Sequence, residues 1–121
     1  MSATAEMADV VLPASSYFEK NGTFTNGERR VQRVNKVIEP IGNTKSDGQM
    51  IIDMMFKLGY EQPTGKVYDA ELLLEEISEV IPFMKGISWN RLGTNGLQWP
   101  VLENGSDTKI IHKNGNFKRG K

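Results

Sequence analysis

Three consecutive apolar residues, Val10-Val11-Leu12, stop abruptly at Pro13. A short apolar run without polar alternation is typical of a strand that is buried on both faces, as in a parallel sheet covered by helices. Proline has no N–H to donate to a sheet ladder, so such a strand has to end there. The run therefore favours an α/β fold, in which covering layers hide both faces of the strand.

A β-hairpin is predicted in the polar segment from Thr23 to Val34. Asn26-Gly27 is typical of a type I′ turn, in which both central residues have positive φ. The second arm leaves an alternative open. Val31, Val34 and Val37 are spaced by three residues, which also permits a helical turn there.

Two amphipathic helices are predicted in the middle of the chain, at about 47–58 and 69–81. Ser46 and Gln49 fit a capping box that begins the first helix, and Gly59 is expected to end it. The residues expected on the buried faces are Met50, Ile51, Met54, Met55 and Leu58 in the first helix, and Leu72, Leu73, Ile77, Val80 and Ile81 in the second. Weaker signals predict a helical turn from Ser88, a short strand at Thr108 to His112 and fraying from Lys113 onward.

Composition excludes several classes of function. The 121 residues include 15 basic and 15 acidic side chains, so the formal net charge of zero predicts no general affinity for nucleic acid or an anionic membrane. The absence of cysteine excludes disulfides, a thiolate nucleophile and cysteine-ligated clusters within this chain. The sequence has no secretory signal and no apolar run near the ~18 residues of a spanning helix, which predicts a cytoplasmic protein without a direct membrane span.

Catalytic motifs are missing from the chain. His112 is the single histidine, and it has no carboxylate or second histidine near it in sequence. No serine lies in a G-x-S-x-G elbow, and neither a Walker A motif nor G-x-G-x-x-G occurs. We therefore predict no catalytic residue and no metal ligand, and these residues alone indicate an α/β segment of unknown activity.

A set of sequence words nevertheless resembles the molybdopterin oxidoreductases, and most of all the large subunit of formate dehydrogenase. The words are TAEMADVVLPA at 4–14, EKNGT at 19–23, TNGERRVQ at 25–32, KSD at 45–47, GISWNRL at 86–92 and GLQWP at 96–100. The first four cover residues 4 to about 60. The last two are similar to the formate dehydrogenase tail of that segment, and they favour this enzyme over nitrate reductase.

The resemblance implies a large enzyme with molybdenum or tungsten held between two molybdopterin guanine dinucleotides. In such an enzyme, formate is oxidised to CO2 and the electrons pass to an iron–sulfur cluster. The cluster cysteines and the metal ligand of the family lie outside this segment. The resemblance thus implies a partial Rossmann-like α/β segment, incomplete as an isolated domain and not catalytic alone. Residues 1–60 would end the dinucleotide-binding domain, and 61–121 would be a helical segment and linker toward a missing C-terminal barrel.

Lys20 and Asp47 are the positions that the family uses to contact a molybdopterin guanine dinucleotide. Simpler roles remain open, because Lys20 alone is typical of a solvated lysine and Asp47 alone of the first turn of a helix. The family often has tryptophan at the position of Gly48, so this chain lacks a large packing group next to Asp47. Arg29 and Arg30 are expected to pair with Glu19 and Glu28 to hold the loop.

Two alternatives to a formate dehydrogenase fragment stay open. One is a relative such as nitrate reductase or the large subunit of complex I, and the other is a stand-alone binding or assembly module without catalysis. The expected partners are the rest of the enzyme chain and its electron-transfer subunits, with self-association of the fragment as a further possibility and no nucleic acid. The complete enzyme would hold the cofactor and its cluster, whereas this segment alone is expected to bind neither.

Overall fold

The computed structural model describes residues 1–61 and 65–117. These residues form two compact units that interleave along the chain. The first unit comprises Met1–Lys20 and Lys36–Tyr68, and the second comprises Asn21–Asn35 with the chain from Asp69 onward. Helices mix with short antiparallel strands, as expected of a partial α/β segment. Within the described ranges, no helix has the length and apolar character that a membrane span requires.

Helices α1 (Ala3–Met7) and α2 (Asp47–Lys57), with a 3-10 turn at Tyr17–Glu19, form the first unit. The predicted helix near 47–58 is confirmed, and the Ser46 side chain accepts from the backbone N–H of Gln49 at 3.2 Å. The Gln49 half of the capping box is wrong, because its side-chain oxygen accepts instead from the N–H of Tyr68 at 2.9 Å. Gly59 ends the helix with φ of 86°.

The strand predicted at Val10 to Leu12 is wrong for the described residues. This segment has no sheet partner, and Val10 and Leu12 are 74% and 51% exposed. Its neighbourhood contains one parallel bridge, between Ala14 and Lys45. A parallel strand needs neighbours that accept its hydrogen bonds, and the described chain supplies a single bridge in place of a ladder.

The expected buried face of α2 is also wrong, because α2 contains no buried residue. Ile51 is 53% exposed, Met54 47% and Leu58 75%. The apolar periodicity predicted the helix correctly. It did not predict what covers the helix, since the described part of the first unit leaves this face open.

The second unit is built on a three-stranded antiparallel sheet in the order β1-β2-β3. The strands are β1 (Gly22–Thr25), β2 (Arg30–Val34) and β3 (Leu97–Gln98). The hairpin prediction is confirmed, with Thr25 opposite Val31, and the helical alternative for the second arm is wrong. Val31 in turn pairs with Leu97, so β2 is the central strand.

The hairpin turn differs from the predicted type I′ turn. Gly27 does not have positive φ, whereas Arg29 does, at 67°. The N–H of Arg29 donates to the carbonyl of Asn26 at 2.9 Å, and the N–H of Asn26 donates to the carbonyl of Arg30 at 3.0 Å. The connection is therefore a three-residue loop that ends in a left-handed residue, which is the next most common way to close a hairpin.

Helices α3 (Ala70–Val80) and α4 (Trp89–Leu92) complete the packing of the second unit. Both helical predictions are confirmed, and Asp69 caps α3 by accepting from the N–H of Glu71 and Leu72. The predicted buried side of α3 is wrong, because Leu74 and Ser78 are the buried residues. The apolar core of the unit consists of Val31, Leu74, Ile87, Leu92 and Val101.

The C-terminal part forms a small hairpin of β4 (His112–Lys113) and β5 (Asn116–Phe117). The predicted strand from Thr108 is wrong except at His112. The fraying predicted from Lys113 is wrong as far as Phe117, and its remainder falls on residues 118–121, outside the described residues.

Candidate functional site

The two residues predicted to bind a cofactor, Lys20 and Asp47, lie in direct contact. The Lys20 Nζ donates to the Asp47 Oδ2, although 27 positions separate them in the sequence. The Lys20 side chain is 23% exposed and the Asp47 side chain 59% exposed. The pair is thus an ion pair that solvent or a ligand can reach from the Asp47 side.

Local structure explains why these two side chains meet. Lys20 follows directly after the 3-10 turn, and Asp47 is the first residue of α2, after its N-cap Ser46. The segment before the turn is tied to the segment before α2 by two backbone hydrogen bonds. Ser15 N donates to the carbonyl of Lys45 at 2.8 Å, and Lys45 N donates to the carbonyl of Pro13 at 3.2 Å.

The electrostatics of the pair favour the ionised form of Asp47. The hydrogen bond from Lys20 holds the pKa of the Asp47 carboxyl below its ordinary value, and the charge of Lys20 adds to this effect. A carboxylate in the first turn of a helix is also stabilised by the positive end of the helix dipole. At neutral pH the site therefore presents an anion and a cation in contact.

The first turn of α2 carries further polar contacts that sequence analysis did not predict. Gln49 Nε2 donates to Asp53 Oδ1 at 2.9 Å and to the carbonyl of Lys66 at 2.8 Å. Lys45 Nζ pairs with Asp53 Oδ2 at 2.6 Å. Hydrogen bonds from Lys45 and Gln49 hold the pKa of Asp53 below its ordinary value. This second ion pair fixes the chain that leads into α2.

Tyr68 is the neighbour of the site that sequence analysis missed. A Cβ placed on Gly48 would lie 2.3 Å from the Tyr68 ring, so the ring packs directly on the glycine that follows Asp47. Gly48 itself was a signal in the sequence. A glycine in the first turn of a helix lowers helix stability, so its presence there indicates that a neighbouring group needs the space. Here an aromatic ring occupies that space.

The predicted pairing of the two arginines is correct only for Arg30. Arg30 Nε lies 3.6 Å from Glu28 Oε2. The guanidinium of Arg29 instead donates to the backbone carbonyls of Trp99, Thr108 and Lys109. Glu19 binds backbone N–H groups and neither arginine.

His112 lies in the small C-terminal hairpin, where its ring contacts Phe117 at a centroid distance of 4.7 Å. Over residues 1–61 and 65–117, no group of three or more His, Cys, Asp or Glu side chains is placed to hold a metal ion. The chemistry available at the candidate site is therefore hydrogen bonding and charge pairing by Lys20 and Asp47.

Comparison with known proteins identifies the class to which this sequence belongs. Residues 1–55 match the family model described as molybdopterin oxidoreductase. The chain therefore belongs to the molybdopterin oxidoreductase family, as the sequence words predicted.

Two relatives show which members this chain is similar to. It is 46% identical over 116 residues to "Probable oxidoreductase YjgC" of Bacillus subtilis, covering 92% of this chain and 11% of that protein. It is 42% identical over 120 residues to a protein named "Putative formate dehydrogenase" from Staphylococcus aureus strain USA300, covering 98% of this chain and 12% of that protein. The chain thus spans about a ninth of the length of these relatives.

Proposed function

We propose that this chain is a segment of a formate dehydrogenase-like oxidoreductase, in which Lys20 and Asp47 hold part of a molybdopterin guanine dinucleotide. The observation that supports the proposal is the contact between these two residues, which are distant in sequence. The similarity to relatives named as formate dehydrogenases adds the proposed reaction, which is oxidation of formate to CO2.

The chemistry of the two side chains fits a nucleotide cofactor. A lysine ammonium has three donors and pairs with phosphate as a point charge, whereas a carboxylate accepts from ribose hydroxyls or from the N1–H and amino group of guanine. The ion pair does not exhaust either group, because one Nζ–H···Oδ2 contact leaves further donors on Lys20 and a second oxygen on Asp47. The 59% exposure of Asp47 leaves room for a ligand to approach.

The bound cofactor would supply the molybdenum or tungsten centre that accepts the two electrons of formate. The role proposed for this chain is to bind and orient one nucleotide. The metal ligand and the iron–sulfur cluster would come from other parts of the enzyme, because this chain has no cysteine. The proposed partners are accordingly the rest of a longer enzyme chain and its electron-transfer subunits.

Cofactor retention in the complete enzyme tests the site. Lys20→Ala and Asp47→Ala each remove one charged partner, and leaving a charged group unpaired costs about 1–3 kcal/mol. Because a factor of ten corresponds to about 1.4 kcal/mol, each variant is expected to lower cofactor affinity several-fold to a hundredfold. The measurement is cofactor content per folded protein, alongside the melting midpoint.

The Lys36–Glu39 ion pair provides a matched control. Its atoms are 2.8 Å apart, it belongs to the same unit, and it is more exposed than the Lys20–Asp47 pair. Lys36→Ala and Glu39→Ala are expected to leave cofactor content unchanged. If Lys20→Ala and Asp47→Ala keep full cofactor while melting earlier, both residues are structural and the proposed site is wrong.

Turnover assays test the reaction separately. The complete enzyme is expected to reduce an artificial acceptor with formate, and the isolated chain is not. Reduction of nitrate without formate oxidation would favour the nitrate reductase alternative. A complete protein that contains no metal and has no activity would favour a relative of the complex I subunit or a stand-alone module. The cytoplasmic location is part of the same proposal, and cell fractionation tests it.

A further inference from the structure

Glu19, directly before Lys20, is a buried carboxylate with a defined set of backbone partners. The residue is only 6% exposed. Oε2 accepts from the N–H of Ser16 at 2.6 Å, and Oε1 accepts from the N–H of Ile41 at 2.8 Å. Each oxygen therefore binds a different segment of the chain.

These contacts make Glu19 a clamp between the 3-10 turn and the segment that leads toward α2. The carbonyl of Phe18 accepts from the N–H groups of Val37 and Ile38 at 2.7 and 3.1 Å, next to the Glu19–Ile41 contact. The bond to Ser16 closes the turn itself, because it joins the N-cap Ser16 to Glu19, the last residue of the turn. The Glu19 side chain thus binds both the start of the turn that precedes Lys20 and a separate segment at Ile41.

The charge of Glu19 is needed for both contacts. The hydrogen bonds from Ser16 and Ile41 hold the pKa of the carboxyl below its ordinary value. An ionised carboxylate accepts at both oxygens, whereas a protonated acid or an amide presents a donor on one side. Two backbone N–H donors facing one side chain therefore select a carboxylate.

We propose that Glu19 is a positioning residue of the cofactor site, and that its clamp places the Lys20 ammonium in contact with Asp47. The inference that this position serves a cofactor rests on the proposed function. The coupling of Glu19 to the Lys20–Asp47 contact does not, and it is measurable without any cofactor.

Glu19→Gln is the informative substitution, because it preserves shape and removes one acceptor. The glutamine amide has to point its NH2 group at one of the two backbone N–H donors, so one arm of the clamp is lost. We expect the turn to loosen and Lys20 to leave Asp47. The pKa of Asp47 then rises toward its ordinary value, as it does when Lys20 itself is replaced by alanine.

Carboxyl-detected NMR titration of the 121-residue chain measures this coupling, with Asp53 as an internal reference. Asp53 is held by Lys45 and Gln49 in the same unit, without a contact to Glu19. We expect Glu19→Gln to reproduce at least half of the rise in the Asp47 pKa caused by Lys20→Ala. The pKa of Asp53 should stay unchanged, and the double variant should show no further rise.

Three outcomes would overturn the inference. In the first, the Asp47 pKa does not change in Glu19→Gln. In the second, the pKa values of Asp47 and Asp53 rise together, which would mean that Glu19 only stabilises the unit. In the third, the pKa of Asp47 in the unmodified chain is not lowered, so that the ion pair itself is absent.

Cofactor content of the complete enzyme separates this inference from the proposed function. If both hold, Glu19→Gln lowers cofactor content in the unmodified enzyme but adds no loss in a Lys20→Ala background. An additive loss in that background would refute positioning through Lys20. If the proposed function alone fails, none of these variants changes cofactor content, while the NMR coupling between Glu19 and Asp47 persists.

Discussion

Replacement of Arg29 is expected to destabilise the second unit through lost hydrogen bonds to the backbone. The Arg29 guanidinium binds the carbonyls of Thr108 and Lys109, each at 3.2 Å from Nη2, and the carbonyl of Trp99. The carbonyl of Arg29 in turn accepts from the N–H of Trp99 at 3.1 Å. One side chain therefore joins the tip of the β1–β2 hairpin to two segments about 70–80 residues away in sequence.

The magnitude follows from these contacts and from the backbone of Arg29. A single hydrogen bond to a charged group contributes about 1.5–3 kcal/mol. The Arg29 contacts are part-buried or exposed, so water offsets much of their loss, and Arg29→Ala should cost about 1.5–3 kcal/mol in all. Arg29 has φ of 67°, which costs any L-residue about 1–2 kcal/mol, and glycine avoids this cost. The glycine variant is also less stable than the alanine variant by about 0.4–1 kcal/mol, because glycine gives the unfolded chain more conformational entropy. Arg29→Gly should therefore be more stable than Arg29→Ala by roughly 0.5–1 kcal/mol, because the first effect exceeds the second.

Urea unfolding followed by tryptophan fluorescence measures both differences in the free energy of unfolding. Trp99 is the local probe, because the centre of its ring lies 6.0 Å from the Arg29 guanidinium. Arg30→Ala is the matched control. Arg30 makes one exposed bond to the carbonyl of Asn95 and a long ion pair with Glu28, and its loss should cost less than about 1 kcal/mol. The reasoning is refuted if Arg29→Ala unfolds at the midpoint of the unmodified chain, or if the glycine variant is the less stable of the two.

Three further predictions concern single positions. Gly48→Ala should destabilise by about 1–3 kcal/mol despite the better helix propensity of alanine, because the new Cβ would lie 2.3 Å from the Tyr68 ring. Gly27→Ala, with nothing within 4 Å of the new Cβ, should shift the urea midpoint little, and equal effects would contradict this prediction. Ser78→Ala should cost about 1 kcal/mol, since its buried hydroxyl binds the carbonyl of Ile87 at 2.6 Å, and an unchanged midpoint would refute that role. The pKa of Asp47 is lower in the folded chain, so its ionised carboxylate stabilises the fold. This contribution to the free energy of unfolding is complete above the unfolded pKa of about 3.9, and it disappears as the pH falls through the folded pKa. The stability difference from Asp47→Asn should therefore stay below about 1 kcal/mol at pH 7, because the pair is exposed, and should vanish in acid, whereas a difference that grows in acid would show the sign to be wrong.

Local signals in the sequence predicted the elements that depend on nearby residues. Ser46 before an apolar periodic run predicted the start of α2, since an N-cap hydroxyl satisfies an N–H only three positions away. The hairpin was predicted for the same reason, because its arms and turn lie within one short segment. The contact of Lys20 with Asp47 was not predictable from composition or spacing. The resemblance to a family indicated the two positions, and the structure shows that they touch.

Contacts between distant segments account for the wrong prediction of the turn type. Asn26-Gly27 suggested the two-residue turn that local statistics favour. The observed loop instead places the left-handed residue at Arg29, where its side chain binds carbonyls of Trp99 and Thr108. No signal within the hairpin reveals those carbonyls. The left-handed residue is tolerated because long-range hydrogen bonds offset its cost.

The wrong predictions of buried surfaces in the first unit have a different cause. Val10 and Leu12 have the pattern of a doubly buried strand, and Ile51 and Leu58 have the pattern of a buried helix face, yet all four are at least half exposed. An apolar pattern specifies that a surface is to be covered, and it does not specify which chain covers it. The second unit has its own core around Val31, yet it also leaves apolar side chains uncovered, with Val80 74% exposed and Phe24 54% exposed. A segment of a longer enzyme would have such uncovered apolar surfaces in both units, because residues from elsewhere in that enzyme would cover them.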